Sequence, residues 1–222
     1  MQPTDANVEH VYDEIAEGYY HAHQNPRIID VEKYAKLWGH GKLLDIGCGA
    51  GANTIAFAKQ GFDCVGIDFS SKQLFWASKN MKKNNVNFPI IKANCLSLPF
   101  RDNTFDFVVS TAVFHHFDSE EKRTKALKEA YRVLRPNGVA LITAWNKKQR
   151  RFILGPRDIY VPWKIGDKIH QRYYHLFTYG EMKKLAEKAG FKSITLFPEY
   201  QFKLPIFKTF SRNVCMTAIK EI

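Results

Sequence analysis

The chain has 222 residues, of which 45% are hydrophobic and 14% aromatic, a composition typical of one globular domain spanning residues 1–222. No apolar run approaches the roughly 20 residues of a membrane-crossing helix. The four cysteines contain no C-x-x-C pair, which disfavours a zinc knuckle or a disulfide framework. The 33 basic and 22 acidic residues give a net charge of +11, which favours an anionic partner. The first residues lack the pattern of a signal peptide, so we expect a cytoplasmic protein without membrane contact.

Strands and helices alternate along the first two thirds of the chain. Two helices are predicted ahead of the first strand, at residues 5–20 and 27–38. Five strands follow near residues 42–46, 63–68, 87–93, 104–110 and 138–144. Helices that connect them are predicted at residues 52–60, 70–84 with Ser70 as N-cap, and 119–134. The Arg-Pro-Asn-Gly sequence at 135–138 predicts a turn before the fifth strand.

The last third of the chain breaks this alternation. A helix near residues 178–189 ends at Gly190, and two strands follow at 191–197 and 213–219, with a long loop over 198–212 instead of a helix between them. We expect these two strands to form an antiparallel addition at the sheet edge. The predicted fold class is α/β, with a doubly wound, mostly parallel sheet of Rossmann-like type.

The most informative stretch of the sequence is the glycine-rich turn between the first strand and the next helix. Gly47, Gly49 and Gly51 would let a ligand lie against the backbone, because no Cβ stands in the way and positive φ is allowed. Their G-x-G-x-G spacing lacks the final x-x-G that seats a pyrophosphate. Asp45, at the strand end, would repel phosphates and suit a cationic ligand.

A second acidic residue supports a nucleotide-like cofactor. Asp68 closes the second predicted strand, where a nucleotide-binding βαβ unit places the carboxylate that accepts from ribose hydroxyls. A ligand that is both cationic and carries a ribose is S-adenosylmethionine. The alternative for the glycine turn alone is a structural loop.

Positive charge concentrates in residues 146–180, which contain eight basic and two acidic residues. Seven aromatic residues interleave with these charges: Phe152, Tyr160, Trp163, Tyr173, Tyr174, Phe177 and Tyr179. Basic side chains bind phosphates and aromatic rings stack on unpaired bases, so the segment is a candidate nucleic-acid surface. A solvated loop with a few buried aromatic residues is the alternative.

The ending of strand, long loop and strand resembles that of the class I S-adenosylmethionine-dependent methyltransferases. The resemblance implies a seven-stranded sheet of order 3-2-1-4-5-7-6, with strand seven antiparallel. It also implies N-terminal helices (residues 1–40) over the cofactor, and it makes Asn94 an adenine-binding residue in place of the family's usual aspartate. The cofactor-binding residues expected from motif and resemblance are Asp45, Gly47, Cys48, Gly49, Gly51, Asp68, Phe69, Asn94, Cys95, Ser110, Thr111 and Tyr19. No metal ligand is expected.

Two further motifs resemble a narrower family. Val161-Pro162-Trp163 and Arg172-Tyr173-Tyr174-His175 are similar to signatures of the tRNA carboxymethyluridine methyltransferases. This resemblance implies tRNA as substrate, with methyl esterification of a carboxymethyl group on a wobble uridine. Eukaryotic members use a small zinc-binding activator subunit, so the resemblance implies such a partner here. The segment 146–176 is then a substrate-binding insertion.

The chemistry implied by this resemblance needs little from the protein. A carboxylate is ionised at neutral pH and needs no general base, so positioning should dominate. We expect Arg172 to bind the carboxylate bidentately, and Tyr173 and His175 to shape the base pocket. Further substrate contacts are expected from Trp163, Arg150 and Arg151, although Trp163 is favoured as a hydrophobic anchor.

The sequence leaves open the role of two adjacent histidines and two further hypotheses for the function of the whole chain. His115 and His116 follow the fourth strand, and one of them could serve as a general base if the substrate were an alcohol or phenol. A capping or core role for these histidines is equally compatible. A small-molecule methyltransferase is the second hypothesis for the whole chain, and a non-catalytic cofactor-binding scaffold is the third.

Overall fold

A computed structural model describes residues 5–28, 30–199 and 209–221 of the chain. The helices are α1 Asp5–Ala22, α2 Val31–Trp38, α3 Ala52–Lys59, α4 Ser71–Asn84, α5 Glu120–Val133 and α6 Tyr179–Ala189. The strands are β1 Lys42–Ile46, β2 Asp63–Asp68, β3 Ile90–Lys92, β4 Phe105–Thr111, β5 Leu134–Trp145, β6 Asp158–Ile165, β7 Lys168–His175, β8 Ser193–Pro198 and β9 Asn213–Ile219. Within these described residues, no helix is long and apolar enough to cross a membrane.

Seven strands form one sheet in the order β3-β2-β1-β4-β5-β9-β8. Strands β1 to β5 pair in parallel, whereas β9 runs antiparallel to both β5 and β8. Leaving out the separate β6–β7 pair, this is the predicted order with an antiparallel seventh strand, so the predicted fold class is confirmed. The antiparallel addition at the sheet edge is confirmed as well.

The sheet is covered on both faces, as its apolar strands require. One core packs α5 and α6 against the sheet through fully buried residues such as Phe105, Leu127 and Phe177. The other packs α2, α3 and α4 through Leu43, Phe57 and Phe107, with Trp38 stacked on both rings. Because both faces are buried, any ligand must enter at the carboxyl edge of the parallel strands.

Local capping agrees with the sequence at two helices and disagrees at one junction. Ser70 caps α4 by accepting from the Gln73 backbone N–H, and Gly190 ends α6 at φ 113°. The predicted turn at residues 135–138 lies inside β5 and not ahead of it, because α5 leads directly into β5 at Leu134. A register shift against β4 takes up the extra residues, and Asn137 has φ 65°. The predicted loop 198–212 lies mostly outside the described residues.

The segment after β5 forms a structure that the sequence did not predict. Strands β6 and β7 make an antiparallel two-stranded hairpin, separate from the main sheet, in which Tyr160 pairs with Tyr173 and Val161 with Arg172. The hairpin contacts α1 and the 3₁₀ turn Phe114–His116 after β4. It therefore lies over the carboxyl edge of the sheet, next to the N-terminal helix.

Candidate cofactor and substrate site

The glycine turn after β1 is shaped by close packing against the loop after β4. Gly47 has φ 70°, and a Cβ there would lie 2.2 Å from Val113 Cγ2, so only glycine fits. Gly51, at φ 78°, is the N-cap of α3 and has no side chain for the cap. The turn thus exposes backbone at the carboxyl edge of the sheet, at the N-terminal end of a helix.

Asp68 is held by backbone donors on both of its oxygens. Gly49 N–H donates to Oδ2 and Ser70 N–H to Oδ1, each at 2.9 Å. Burial raises the pKa of Asp68 to about 6, and these two hydrogen bonds act against that rise. The carboxylate is fixed with lone pairs remaining, which suits it to accept from vicinal hydroxyls of a ribose.

Asp45 lies behind the glycine turn, not on its open side. It is 1% exposed and accepts a 2.6 Å hydrogen bond from Thr54 Oγ1. Burial raises the pKa of this carboxyl to about 7, and the nearby Asp68 contributes to that rise. Asp45 can therefore influence a cationic ligand only through the electric field of its carboxyl group and through the glycine turn that it supports.

A cavity of about 850 Å³, counted with its open mouth, follows the turn and is here called the main cavity. Its lining includes the predicted residues Tyr19, Gly47, Gly49, Asp68, Phe69, Asn94, Cys95 and Thr111. Tyr12, Val113 and His116 complete it from the other side. Gly51, Ser110 and Asp45 support the walls from behind, with Ser110 Oγ donating to the Ile46 carbonyl at 3.0 Å.

Sequence reasoning missed Gln73, which lines the main cavity. Gln73 is 2% exposed, and within the described part of the chain neither amide atom of its side chain has a hydrogen-bond partner. A buried unpartnered amide costs about 1–3 kcal/mol, so a ligand that pairs with it is expected. The sequence signal that could have identified Gln73 is its helical spacing from Ala77 and Asn80, which puts the three residues on the buried side of α4.

A smaller cavity of about 430 Å³, counted in the same way with its open mouth and here called the loop cavity, opens on the other side of Tyr19 and the glycine turn. Arg27 and Cys48 line it, and the Arg27 guanidinium lies 5.2 Å from the centre of the Tyr19 ring. The Arg27 backbone N–H donates to Asn53 Oδ1 at 2.7 Å, which fixes this segment on α3. A carboxylate at the amino-acid end of a cofactor would find a cation here.

A third cavity of about 280 Å³, also counted with its open mouth and here called the arginine cavity, adjoins the main one and shares Tyr12 and His116 with it. His116 Nδ1 lies 3.0 Å from the Tyr173 carbonyl, which only accepts, so Nδ1 carries the proton. Burial lowers the pKa of His116 to about 4. The ring is therefore neutral, and Nε2 accepts from the Tyr12 hydroxyl at 2.8 Å. The junction between the cavities is uncharged.

Arg172 on β7 lines the arginine cavity and is 8% exposed. Its guanidinium lies over two aromatic rings, 4.9 Å from the centre of Trp163 and 5.4 Å from that of Tyr174. Among the described residues no carboxylate pairs with it, and its Nε has no hydrogen-bond partner. A buried guanidinium of this kind is available for an anion from outside the chain.

The two candidate histidines, His115 and His175, lie outside the main and arginine cavities. His115 is fully buried and stacks on Tyr174, and its Nδ1 accepts from the Trp145 backbone N–H at 3.4 Å. His175 lies between two carboxylates, with Nδ1 2.8 Å from Asp158 and Nε2 2.8 Å from Glu181. Both histidines therefore bind other parts of the protein, and His116 is the histidine that faces the cavities.

The remaining predicted substrate residues divide between the hairpin and its flank. Tyr173 lines the arginine cavity, and its hydroxyl donates to Asp158. Trp163 packs on α1, with its Nε1 3.6 Å from where a Cβ on Gly18 would be, so it anchors the hairpin. Arg150 is exposed, and Arg151 lies over Trp145 and Phe152. Neither arginine lines the three cavities.

This site fits S-adenosylmethionine on its own geometry. The glycine cradle would be filled by a Cβ, the fixed carboxylate of Asp68 suits ribose, and the buried amide of Gln73 lacks a partner. Fold and site together define a class I S-adenosylmethionine-dependent methyltransferase.

Comparison with known proteins narrows this class. A methyltransferase-domain family model matches residues 44–142. A tRNA (carboxymethyluridine(34)-5-O)-methyltransferase of Schizosaccharomyces pombe is 34% identical over 209 residues, spanning 82% of this chain and 87% of that protein. The Saccharomyces cerevisiae protein of the same name is 30% identical over 164 residues, spanning 71% of this chain and 56% of that protein. The chain belongs to the tRNA (carboxymethyluridine(34)-5-O)-methyltransferase family.

Solved structures agree on the fold. A methyltransferase from Methanosarcina mazei, described as dependent on S-adenosylmethionine, superposes with a TM-score of 0.68 at 20% identity. The match covers 87% of this chain and 99% of that one. At this identity the likeness concerns the fold alone.

Proposed function

We propose that this enzyme methylates the carboxymethyl group of a wobble uridine in tRNA, giving the methyl ester. The observation that carries the proposal is Arg172, a buried cation with no acidic partner among the described residues, in a cavity adjoining the cofactor cavity. A substrate carboxylate would supply the missing partner. The S. pombe and S. cerevisiae relatives named for this reaction support the same substrate.

The reaction is a displacement in which no proton has to move. When bound, S-adenosylmethionine supplies an electrophilic methyl group on a positively charged sulfur. Held at the glycine turn and Asp68, the cofactor would supply this methyl group to a carboxylate oxygen of the substrate, and the electron pair of the C–S bond would stay on sulfur. Because the nucleophile is already an anion, the protein needs no general base, and neutral His116 hydrogen-bonded to Tyr12 fits that requirement.

Positioning is the main task of the chain in this mechanism. Arg172 would hold one edge of the carboxylate through paired N–H donors. The rings of Trp163 and Tyr174 fix the guanidinium by cation–π contact, so its direction is set before substrate binds. Well-aligned reactants of this kind gain about 7–11 kcal/mol from proximity, so alignment is the main source of rate acceleration open to this site.

The tRNA backbone is proposed to bind the exposed basic residues around the cavities. Arg150 and the hairpin lysines Lys164 and Lys168 are exposed. Arg27 and Arg212 add positive charge beside the loop cavity, near His23. Burial is the main cause that lowers the pKa of His23 to about 4, and the charges of these two arginines lower it further. The proposal therefore expects tRNA binding that weakens steeply as salt is added.

A small activator subunit and a cytoplasmic location complete the proposal. Strand β3 is the outermost strand on one side of the sheet, with Ile90 and Ile91 only half-buried, and such an edge can pair with another chain. The four cysteines, all within the described residues, form no disulfide with one another, which suits a reducing compartment.

Nucleoside mass spectrometry of tRNA tests the proposed function. tRNA that accumulates carboxymethyluridine is incubated with the enzyme and methyl-labelled S-adenosylmethionine, with and without a zinc-binding activator. We expect a labelled methyl ester at the wobble uridine that mild alkali removes. Unlabelled tRNA under both conditions, with cofactor binding confirmed, would contradict the proposal and favour a small-molecule acceptor.

A further inference from the structure

His175 lies between two acceptors that it can satisfy together only as a cation. Its side chain is 6% exposed, with Nδ1 2.8 Å from Asp158 Oδ1 and Nε2 2.8 Å from Glu181 Oε1. An ionised carboxylate only accepts, and a neutral imidazole has a single N–H, so both contacts are hydrogen bonds only when the ring carries two protons. A neutral ring would place a lone pair against one of the two carboxylates.

The surroundings keep both carboxylates ionised. Burial acts to raise the pKa of Glu181, but the hydrogen bond to His175 and the positive charges nearby bring that pKa below its usual value. Burial likewise acts to raise the pKa of Asp158, and hydrogen bonds from Tyr173 and His175 bring it below its usual value. The imidazole therefore has a negative acceptor at each of its nitrogens.

Further charged or titratable groups face this arrangement from neighbouring elements. Among the described residues they are Arg157 ahead of β6, Arg123 on α5, His115 in the 3₁₀ turn and Asp118 ahead of α5. Arg157 forms an ion pair with Glu181, and Arg123 Nε lies 3.9 Å from Glu181 Oε1. Burial holds the pKa of His115 well below its usual value, so that ring is neutral, and Asp118 pairs with Lys122. The two arginines keep Glu181 negative and so preserve the acceptor for His175 Nε2.

The two acceptors differ in exposure, which decides the contact that opens when the ring loses a proton. The side chain of Asp158 is 58% exposed, whereas that of Glu181 is 14% exposed. Water can solvate the carboxylate of Asp158, but a buried carboxylate that loses its donor is costly. The neutral ring should therefore keep its N–H on Nε2 for Glu181 and release Asp158.

Asp158 connects His175 to the part of β7 that carries Arg172. The Tyr173 hydroxyl donates to Asp158 Oδ1, the same oxygen that His175 contacts. Side chains alternate along a strand, so Tyr173 and His175 lie on one face of the hairpin and Arg172 lies on the other. The Tyr173 carbonyl accepts from His116 Nδ1 at the junction between the cavities. Tyr173 is thus held at its hydroxyl and at its carbonyl, directly next to Arg172 in the chain.

We propose that cationic His175 is a positioning residue for methyl transfer, which through Asp158 and Tyr173 holds the β7 backbone that directs Arg172 toward the substrate carboxylate. This inference rests on the proposed function, since it assumes that Arg172 binds the reacting carboxylate. Loss of one proton from His175 releases Asp158 and loosens the Tyr173 hydroxyl bound to it. Methyl transfer should therefore slow as the pH rises, although His175 does not touch the substrate.

The test follows kcat/KM against pH on an anticodon stem-loop that carries carboxymethyluridine at the wobble position. S-adenosylmethionine is kept saturating, so that the titration of Asp68 does not enter, and the activator is present if it is needed. Nuclear magnetic resonance of ring-labelled histidine follows the protonation of His175 in the same proteins. Glu181→Gln is the main variant, because its amide can donate to an unprotonated Nε2 while a neutral ring keeps its N–H on Nδ1 for Asp158. Glu187→Gln is the matched control on the same helix, since Glu187 pairs with Lys183 at the surface.

We expect the kcat/KM of the wild type to fall with rising pH in step with the deprotonation of His175. The slope should be at most about tenfold per pH unit, because one proton is lost. The same fall should appear in Glu187→Gln and be absent from Glu181→Gln. A His175 ring that is already neutral at the pH of maximal activity, or a fall that persists unchanged in Glu181→Gln, would overturn this inference alone.

Tyr173→Phe tests the connection itself and serves as the second variant if Glu181→Gln does not fold. It removes the hydroxyl that donates to Asp158 and leaves both carboxylates beside His175. His175 should still lose its proton in this variant, but kcat/KM should be lower than in the wild type and should no longer follow that titration. Wild-type activity with a wild-type pH profile in Tyr173→Phe would contradict the inference. A wild type that methylates the stem-loop at no pH would overturn the proposed function and this inference with it.

Discussion

At the scale of single residues, Arg172 is the side chain on which the proposed chemistry depends. Replacing it by glutamine leaves a substrate carboxylate buried without its cation, a change that typically costs about 2–5 kcal/mol and lowers kcat/KM at least roughly 30-fold. The kcat/KM of Arg172→Lys should lie between those of the wild type and Arg172→Gln, because an ammonium keeps the charge but cannot pair bidentately. Steady-state kinetics on carboxymethyluridine-containing tRNA measures both effects.

The control for Arg172 is a neutralised arginine elsewhere. Arg101 is exposed and lies outside the three cavities, so Arg101→Gln should keep full activity. Affinity for S-adenosylhomocysteine should be unchanged in every variant, since Arg172 faces the substrate side. Normal kcat/KM in Arg172→Gln would show that another group binds the carboxylate.

Gln73 allows a prediction in which stability and binding change in opposite directions. Gln73→Met removes two buried amide atoms that lack partners, so the melting temperature of the cofactor-free protein should stay equal or rise. Affinity for S-adenosylhomocysteine should fall by roughly 2- to 13-fold, the effect of losing one hydrogen bond of about 0.5–1.5 kcal/mol. Calorimetric titration and thermal melting measure the two quantities. Unchanged affinity would remove Gln73 from the cofactor site.

Asp68 predicts how cofactor binding depends on pH. Burial raises its pKa to about 6, so the carboxylate that accepts from ribose is present above that pH and lost below it. Affinity for S-adenosylhomocysteine should therefore fall roughly tenfold between pH 7 and pH 5. Asp68→Asn should bind more weakly and lose this step. If the step persisted in the Asn variant, Asp45, with its pKa raised to about 7, would be the group responsible.

At the scale of elements, Glu181 on α6 holds the β6–β7 hairpin against the domain through ion pairs with His175 and Arg157. Glu181 is 14% exposed; it pairs with His175 at 2.8 Å and with Arg157. Glu181→Gln should destabilise the fold by about 2–3 kcal/mol, less than the ~3–5 of a fully buried pair because Arg157 is partly exposed. This corresponds to a loss of about 4–12 °C in melting temperature.

The same helix provides the matched control for Glu181. Glu187 forms a 3.8 Å pair with Lys183, and both side chains are more than half exposed. Pairs of this kind contribute only about 0.3–0.5 kcal/mol, so Glu187→Gln should leave the melting temperature nearly unchanged. Equal melting temperatures for the two variants would mean that the Glu181 network does not hold the hairpin in place.

The sequence predicted the sheet well because each of its strands is a short apolar run that turn or cap residues bound on both sides. Glycine spacing and the acids Asp45 and Asp68 marked the turn, and Ser70 and Gly190 marked helix ends. The hairpin was missed because Pro162 interrupts the apolar run of β6 and because β7 mixes charged and polar residues with its aromatic ones. The sequence left open which of His115 and His116 faces the cavities, because only the 3₁₀ turn decides between these two neighbours.

At the scale of the whole molecule, three cavities meet around Tyr12, Tyr19 and His116 at the carboxyl edge of one sheet. The glycine turn and Asp68 define the cofactor side, and the hairpin with Arg172 defines the substrate side. The uncharged junction between them is where a methyl group would pass from sulfur to oxygen. The central claim is that the accepting oxygen belongs to a carboxylate on a wobble uridine.

That claim is tested most directly with two anticodon stem-loops that differ in one group. One carries a carboxymethyl substituent on the wobble uridine and the other the neutral carbamoylmethyl substituent. With labelled S-adenosylmethionine, and the activator present if it is needed, we predict methyl transfer to the carboxymethyl stem-loop only, as an alkali-labile ester. Equal labelling of both stem-loops would contradict the account, because the acceptor would then lie elsewhere in the RNA.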